Sequence, residues 1–355
     1  MPEVTVLMAV YNGMPYLPLA IESILVQTFS DFEFLIVNDC STDNTRDVIL
    51  SYDDPRIQLL DNEENIKQTR SLNRGLEHAR TELVARMDAD DISHPRRLEM
   101  QVAYLRDHPE VVAVGTNLRW IDQTGKVTGL WIRPEHDLAL RWMQLFVCPI
   151  AGGAVMFRKS VVWDKLGGFD PSIRFAQDWD LWSRVLPEYK LANVPDLLID
   201  VRQHPGQDTT AQSSLIREEE RRINRANPRR ILGITDDSEE WLSKVDNLRA
   251  TRLSDPEDRL EVIRAFFERF CTLYPTAHSN PEVLKILWKQ YRRVLYETNL
   301  RSLPIAFQVF GLDWPISSKM LAVAYALALR ASGGKVRDVV RVTKAVAGRL
   351  RTLLL

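Results

Sequence analysis

Short apolar runs alternate with amphipathic stretches through the first quarter of the chain. VTVLMAVY (4–11) is an unbroken apolar run rich in β-branched residues, closed by Asn12-Gly13. That pattern predicts a strand buried on both faces. PYLPLAIESILVQ (15–27) then spaces Leu17, Ile21, Ile24 and Leu25 as one face of a helix. FEFLIVND (32–39) repeats the buried-strand pattern, and the polar loop DCSTDNT leads into a short helix near 45–51. RIQLL (56–60) predicts a strand, KQTRSLNRGLEHAR (67–80) a helix and ELVARMD (82–88) another strand. Strands alternating with helices imply βαβ units, hence a parallel sheet covered on both faces. Such sheets bind ligands beyond the carboxyl ends of their strands, where Asp39 and Asp88 both stand.

Past residue 91 the pattern predicts a helix in HPRRLEMQVAYLRDH (94–108), a candidate strand pair in EVVAVGTNLRWID (110–122), a helix in DWDLWSRVLPE (178–188) and a late strand region in LANVPDLLIDVRQH (191–204). CPIAGGAVMFRKSVVWDKLGGFD (148–170) lies between, with Gly152-Gly153 before a strand-like run. Composition changes near 212, and helix patterns dominate from there. SDPE (254–257) and SNPE (279–282) both fit capping boxes. Leu260, Ile263, Phe267, Phe270 and Tyr274 share one helical face; Leu287, Tyr291 and Val294 share part of another. The expected organisation is an α/β domain over 1–211 and a mostly α-helical domain over 212–355.

The end of the chain is distinct. Arg330, Lys335, Arg337, Arg341, Lys344, Arg349 and Arg351 stand against Asp338 alone, while Val336, Val339, Val340, Val346, Leu350 and Leu354 fall on one helical side. A basic amphipathic helix of this kind can lie in an anionic membrane interface; a packed terminal helix or a homodimer contact is the competing expectation.

Totals narrow the class. With 355 residues, 45% apolar and 26% charged, the chain has the composition of a soluble globular protein of one or two domains. A net charge of −2 argues against general nucleic-acid binding. The three cysteines, Cys40, Cys148 and Cys271, are scattered, so neither a disulfide framework nor a zinc site is indicated. No signal-peptide pattern precedes the first strand, and the longest apolar run, MLAVAYALAL (320–329), falls short of the roughly 20 residues a spanning helix needs. A cytoplasmic protein is expected, or one peripheral to the inner face of the plasma membrane.

The chemistry concentrates in VARMDADDISHPRRLEMQ (84–101), where Asp88, Asp90 and Asp91 follow an apolar strand. Like charges so close repel unless a cation compensates. Helix capping accounts for one carboxylate, not three. Mg²⁺ and Mn²⁺ prefer oxygen ligands and often use one or two carboxylates plus substrate phosphates.

TVLMAVYNG (5–13), IVNDCSTDNT (36–45), ARMDADDISHPRRLEMQ (85–101), GGFD (167–170), QDWDLWSR (177–184) and RQHPGQDTT (202–210) together resemble the family-2 glycosyltransferases of the GT-A fold, in family order and spacing over about residues 1–210. The resemblance implies a Rossmann-like, mostly parallel sheet and a nucleotide-sugar donor. It places Asp39 on the uracil N3–H of a UDP-sugar, with Ala9, Tyr11 and Asn12 on the other wall of the nucleotide pocket. Asp88 and Asp90 match the family's DxD motif, Asp90 as direct metal ligand and Asp88 on the metal or ribose; Asp91 is structural. Asp178 takes the place of the catalytic base, with Asp180 as its competitor, and Gln177 replaces the usual glutamate. His204 falls where GT-A enzymes often place a histidine on the metal or diphosphate, and Arg202 is an alternative diphosphate partner. Gly152 and Gly153 lie where a loop approaches donor sugar and acceptor, although many relatives have His-Pro-Ser there. Trp179 and Trp182 are candidates to stack on sugar faces. Arg70, with Lys67 and Arg74, lies on the nucleotide side. The family usually has glycine where this chain has Cys40.

The expectation is an inverting, Mn²⁺- or Mg²⁺-dependent transferase. It would move a sugar from a UDP-sugar to a hydroxyl of a glycan or lipid-linked acceptor in cell-surface polysaccharide synthesis. Its rivals are a nucleotidyltransferase, which would normally carry a glycine-rich phosphate loop near its start, and a non-catalytic nucleotide-sugar binder or scaffold.

Overall fold

The computed structural model describes residues 1–205, 213–248 and 256–297. The chain forms two compact units, 1–235 and 236–355. The basic tail, most of the SDPE segment and the side chains of Tyr291 and Val294 lie outside the described residues.

The first unit is built on a nine-stranded sheet with helices. Its strands are β1 (Val4–Val10), β2 (Phe32–Asn38), β3 (Ile57–Asp61), β4 (Leu83–Met87), β5 (Ile92–Ser93), β6 (Val111–Ile121), β7 (Val127–Trp131), β8 (Met156–Arg158) and β9 (Lys190–Arg202). The helices that matter for the site are α1 (Leu17–Leu25), α2 (Thr45–Leu50), α3 (Gln68–His78), α4 (Arg97–Asp107), α5 (Asp137–Gln144), α6 (Gln177–Val185) and α7 (Ser213–Leu232). The sheet order is β3-β2-β1-β4-β8-β6-β9-β5, with β7 added to β6. The first four strands are mutually parallel, as the alternation of apolar runs and amphipathic helices predicts. Every residue of β1, β2 and β4 is buried, because helices cover both faces and leave no solvent side.

The second half of the sheet is mixed, and less of it was readable. The candidate strand pair at 110–122 is one long strand, β6. Its hairpin partner is β7, across a turn in which Asp122 Oδ1 accepts the Thr124 N–H and Gly125 adopts φ 88°. β6 also pairs in parallel with β9, with breaks in register near Asn117. β5 in turn pairs antiparallel with β9, Ile92 opposite Asp200. That pairing carries the chain after β9 back alongside the aspartate segment.

Helix α7 belongs to the first unit, so the compact α/β body runs past the composition change near 212 to Thr235. Its anchors are specific. The Glu219 carboxylate accepts the backbone N–H groups of Arg174, Phe175 and Ala176 at 2.7, 2.8 and 3.1 Å. Ile223 packs with Ile173, Ala176 and Trp179. A charged acceptor on three N–H groups at the start of α6 both satisfies those donors and favours the helix dipole.

Within the described part of the second unit lie α8 (Glu239–Asn247), α9 (Pro256–Leu273) and α10 (Pro281–Glu297). The predicted face of α9 is its inner one: Leu260, Ile263, Phe267 and Phe270 are all buried. The cap at SNPE is Asn280 rather than Ser279: its Oδ1 accepts the Glu282 and Val283 N–H groups at 3.1 and 3.0 Å. No described helix is long and apolar enough to cross a membrane.

Candidate functional site

A cleft of about 1440 Å³ opens along the carboxyl ends of β1, β2 and β4 and extends over β6, β7 and β9. Its lining includes Ala9, Tyr11, Asn12, Asp39, Asp88, Asp90, Gly152, Gly153, Asp178 and His204. Most residues expected from the sequence therefore meet in one place.

At one end the loops after β1 and β2 are tied together. Asn12, at φ 52°, donates its backbone N–H to Ser41 Oγ at 3.0 Å, and its Oδ1 accepts the Thr42 N–H at 2.8 Å. Asp39 is 2% exposed. Its carboxylate accepts from Asn62 Nδ2 at 2.7 Å and from the Ile66 and Lys67 N–H groups at 2.9 Å. A carboxylate has about four acceptor sites, so one remains for a ligand donor. Cys40 sits at φ 58°. The left-handed conformation that a glycine would take there at no cost is kept by a residue for which it is strained. Tyr11 is 48% exposed at the mouth of this end.

The acidic segment follows β4, and each of its carboxylates has a different environment. Asp88 Oδ1 accepts from Arg86 Nη2 at 3.1 Å and Gln68 Nε2 at 3.4 Å. Asp90 Oδ2 lies 3.1 Å from His204 Nε2. The His204 ring packs against Tyr16, with centroids 4.9 Å apart. Asp91 is buried, and its Oδ1 accepts the Arg202 N–H at 3.0 Å. Burial, reinforced by the charges of Asp90 and Asp88, pushes the Asp91 carboxyl well above the usual carboxylate range. Arg202 donates Nε to the Asp90 carbonyl at 3.0 Å and lies over the Tyr16 ring at 4.5 Å. It thereby shapes the aspartate loop. Arg97, wholly buried beneath, donates to the Arg86 carbonyl at 2.7 Å, and desolvation lowers it to about 10.

Gly152 and Gly153 form a tight 3₁₀ turn (Gly152–Ala154) against these groups. A Cβ on Gly152 would stand 2.3 Å from Arg86 Nη1, and one on Gly153 2.7 Å from Asp88 Oδ2. Only glycine lets the backbone come this near. The Gly152 N–H donates to Asp178 Oδ2 at 3.1 Å. Asp178 stands in the first turn of α6, with Oδ1 accepting the Trp179 N–H at 2.8 Å. Its side chain is densely surrounded yet keeps part of its surface open to the cleft. Burial raises its carboxyl above the ordinary value, against a lowering by the Arg86 charge. Asp180 is held between Arg184 Nε at 2.8 Å and Arg230 Nη1 at 3.0 Å, outside the lining.

Two expected residues are elsewhere. Arg70 is exposed and is not part of the cleft wall. Thr69, Ser71 and Leu72 take the buried face of α3, which leaves Arg70 on the solvent side. Trp179 is a core residue, 3% exposed, with Nε1 donating to the Gln144 carbonyl at 3.2 Å. Trp182 is likewise buried and donates to the Ile150 carbonyl at 3.1 Å. Conversely, the reading of the sequence passed over Arg86, Gln68, Arg133 and Cys148, all of which line the cleft. Gln177 meets the Gln68 amide at 3.0 Å, linking the helix of Asp178 to the Asp88 side.

Among the described residues no three His, Cys, Asp or Glu side chains converge as a complete cation site. The donor set present is Asp90 and His204, with Asp88 Oδ2 beside the glycine turn. Two or three protein ligands of this kind suit a Mn²⁺ or Mg²⁺ ion whose shell is completed by phosphate oxygens and water.

Residues 5–165 match the model of glycosyl transferase family 2. The putative glycosyltransferase EpsE of Bacillus subtilis is 36% identical over 211 residues, covering 57% of this chain and 73% of EpsE. The O-antigen biosynthesis glycosyltransferase WbnJ of Escherichia coli is 30% identical over 210 residues, covering 57% of this chain and 80% of WbnJ. Among solved structures, S. aureus TarS 1-349 in complex with UDP-GlcNAc superposes with a TM-score of 0.54 at 16% identity, covering 99% of this chain and 92% of that one. The chain belongs to glycosyltransferase family 2, and its α/β unit has the GT-A fold.

Proposed function

We propose that the protein is an inverting glycosyltransferase that moves a sugar from a UDP-sugar to a hydroxyl of a glycan or lipid-linked acceptor in cell-surface polysaccharide synthesis. One observation carries this reading: Asp39, the Asp90–His204 pair and Asp178 line a single cleft from four separate stretches of sequence. In this reading Asp39 accepts the uracil N3–H with its remaining lone pair, and Ala9 and Tyr11 flank the base. Asp90, His204 and Asp88 would hold a divalent cation, which when bound offsets the negative charge of the diphosphate.

Asp178 removes the proton from the acceptor hydroxyl as that oxygen bonds to the anomeric carbon. The bond from that carbon to the diphosphate oxygen breaks, and its electron pair leaves with UDP. A single displacement inverts the anomeric centre. The raised carboxyl of Asp178 makes it a stronger base than an exposed aspartate once ionised. The sequence similarity to WbnJ supports polysaccharide synthesis, and the fold likeness to a UDP-GlcNAc complex is consistent with a UDP-sugar.

The test is a donor screen that measures UDP release across UDP-hexoses, with and without a glycan pool. One UDP-hexose should give acceptor-stimulated release that stops in EDTA and returns with Mn²⁺. Release that is blind to both acceptor and metal for every donor would sink the proposal, and would favour a non-catalytic nucleotide-sugar binder.

A further inference from the structure

The far wall of the cleft is unlike the rest. Leu118 and Trp120 of β6, Trp131 of β7 and Val201 of β9 form an apolar, partly aromatic surface there. They share one face because Leu118 pairs with Trp131 across the hairpin and Trp120 pairs with Val201 across the parallel ladder. Into this surface comes one cation. The Arg133 guanidinium lies 3.6 Å from the centre of the Trp131 ring, and its Nε is buried without a hydrogen-bond partner.

No carboxylate pairs with Arg133 among the described residues. Other arginines of this unit do have acidic partners: Arg86 with Asp88, Arg119 with Asp200, Arg141 with Asp137. The titratable group that bears on Arg133 is the Cys148 thiol, which burial pushes well up and so keeps neutral. Desolvation lowers Arg133 to about 10, which still leaves it protonated at neutral pH. A half-buried guanidinium with no anion is costly to maintain, and its planar fork suits carboxylate or phosphate oxygens.

Its position shows which substrate it serves. Arg133, Cys148 and Asp178 line the same cleft, and Cys148 Sγ donates to the carbonyl of Ile150, two residues before the Gly152 N–H that donates to Asp178. The wall is thus next to the proposed base, whereas the nucleotide end is defined by Asp39, Tyr11 and Asn12. A molecule resting on this wall is placed to present a hydroxyl to Asp178 from within the same cleft.

We infer that Trp120, Trp131 and Arg133 form the acceptor subsite, and that it takes a saccharide carrying a negative charge, carboxylate or phosphate, close to the ring that is glycosylated. The apolar face of the sugar ring rests on the tryptophan surface while the anion meets Arg133. This inference rests on the transferase reading above for the direction of transfer, but the binding it asserts is measurable without a donor.

The experiment is ligand-observed NMR titration of the full chain with methyl glucuronide, glucose 1-phosphate and methyl glucoside, without UDP, alongside a separate calorimetric titration with UDP. At least one anionic probe should bind about tenfold or more tightly than the neutral one, and added salt should shrink the difference. Which anion wins identifies the charge carried by the acceptor. Arg133→Gln should bring the anionic probes to within about twofold of methyl glucoside, Arg133→Lys should retain part of the preference, and Trp120→Ala should weaken all three probes. UDP affinity should be unchanged in the Arg133 variants. Equal binding of charged and neutral probes by the wild type would overturn the inference. So would a loss of UDP affinity in Arg133→Gln as large as its loss of anionic glycoside, since the arginine would then serve the donor. A wild type that prefers the anionic probe yet ignores UDP would leave the subsite standing and refute the donor assignment instead.

Discussion

Asp178→Asn should lower turnover at least about a hundredfold, the usual scale for losing a general base, while UDP affinity stays within about twofold of wild type. Asparagine keeps the shape of the side chain and removes its capacity to take a proton. It cannot keep every contact: Asp178 accepts N–H groups on both oxygens, from Trp179 and Gly152, and the amide can accept on only one. A melting curve separates that local cost from the chemical one. The pH profile carries a second signature. Burial raises the Asp178 carboxyl, and the base works only when ionised, so kcat/KM should fall as pH drops through a value above the ordinary carboxylate range. The stability linkage has the opposite sign: with the folded value raised, a stability cost grows as pH rises from the ordinary carboxylate value to the raised one, is complete above it, and vanishes on acidification below the ordinary value. Asp180→Asn is the informative control. Asp180 is consumed by Arg184 and Arg230, so its loss should lower the melting temperature and spare the acid limb. A dead Asp180→Asn beside an active Asp178→Asn would transfer the role to the wrong-looking residue and sink the assignment.

The second large effect concerns the cation. Wild-type protein should bind UDP about tenfold or more tightly in Mn²⁺ than in EDTA, a difference of at least about 1.4 kcal/mol, and Asp90→Ala should erase most of it. The four acidic and imidazole groups near β4 are not equivalent. Asp91 is buried under the Arg202 N–H, and Asp88 has one oxygen engaged by Arg86 and Gln68. Asp90 and His204 face each other at 3.1 Å in the cleft, which makes Asp90 the carboxylate whose loss a cation would feel most. Calorimetry that finds the same wild-type UDP affinity with and without metal contradicts the assignment.

Much of the site could be read from sequence because strand polarity is local. Largely apolar runs such as those containing Val6–Val10 and, interrupted only by Arg86, Leu83–Met87 have few alternatives to a buried parallel strand, and the residue that ends each run must lie at the carboxyl edge. Asp39 and Asp88 follow from that alone. Asp178, Gly152 and His204 came from motif order, since no local pattern could say that β6 pairs in parallel with β9 and brings His204 to Asp90. The β6–β7 hairpin was missed because VTGLW shows weak alternation and a glycine where a strand is expected. Arg86 was hidden inside ELVARMD, where the pattern reads it as one more strand position; its bond to Asp88 and its place against Gly152 are recognisable only in three dimensions. The two misplaced residues failed for opposite reasons. Trp179 is amphipathic, and whether its ring meets ligand or core depends on α7, which packs on it from beyond residue 212. Arg70 depends on helix phase, which the apolar face of α3 sets at Leu72 and Leu76.

Asp178 is read as a base that serves one displacement, and the anomeric outcome reports that directly. With the UDP-hexose that supports transfer, whose sugar is α-linked to the diphosphate, proton NMR of the freshly formed product should show the β anomer, and Asp178→Asn should form it at least about a hundredfold more slowly. A product of retained α configuration would require a different mechanism and would contradict the account.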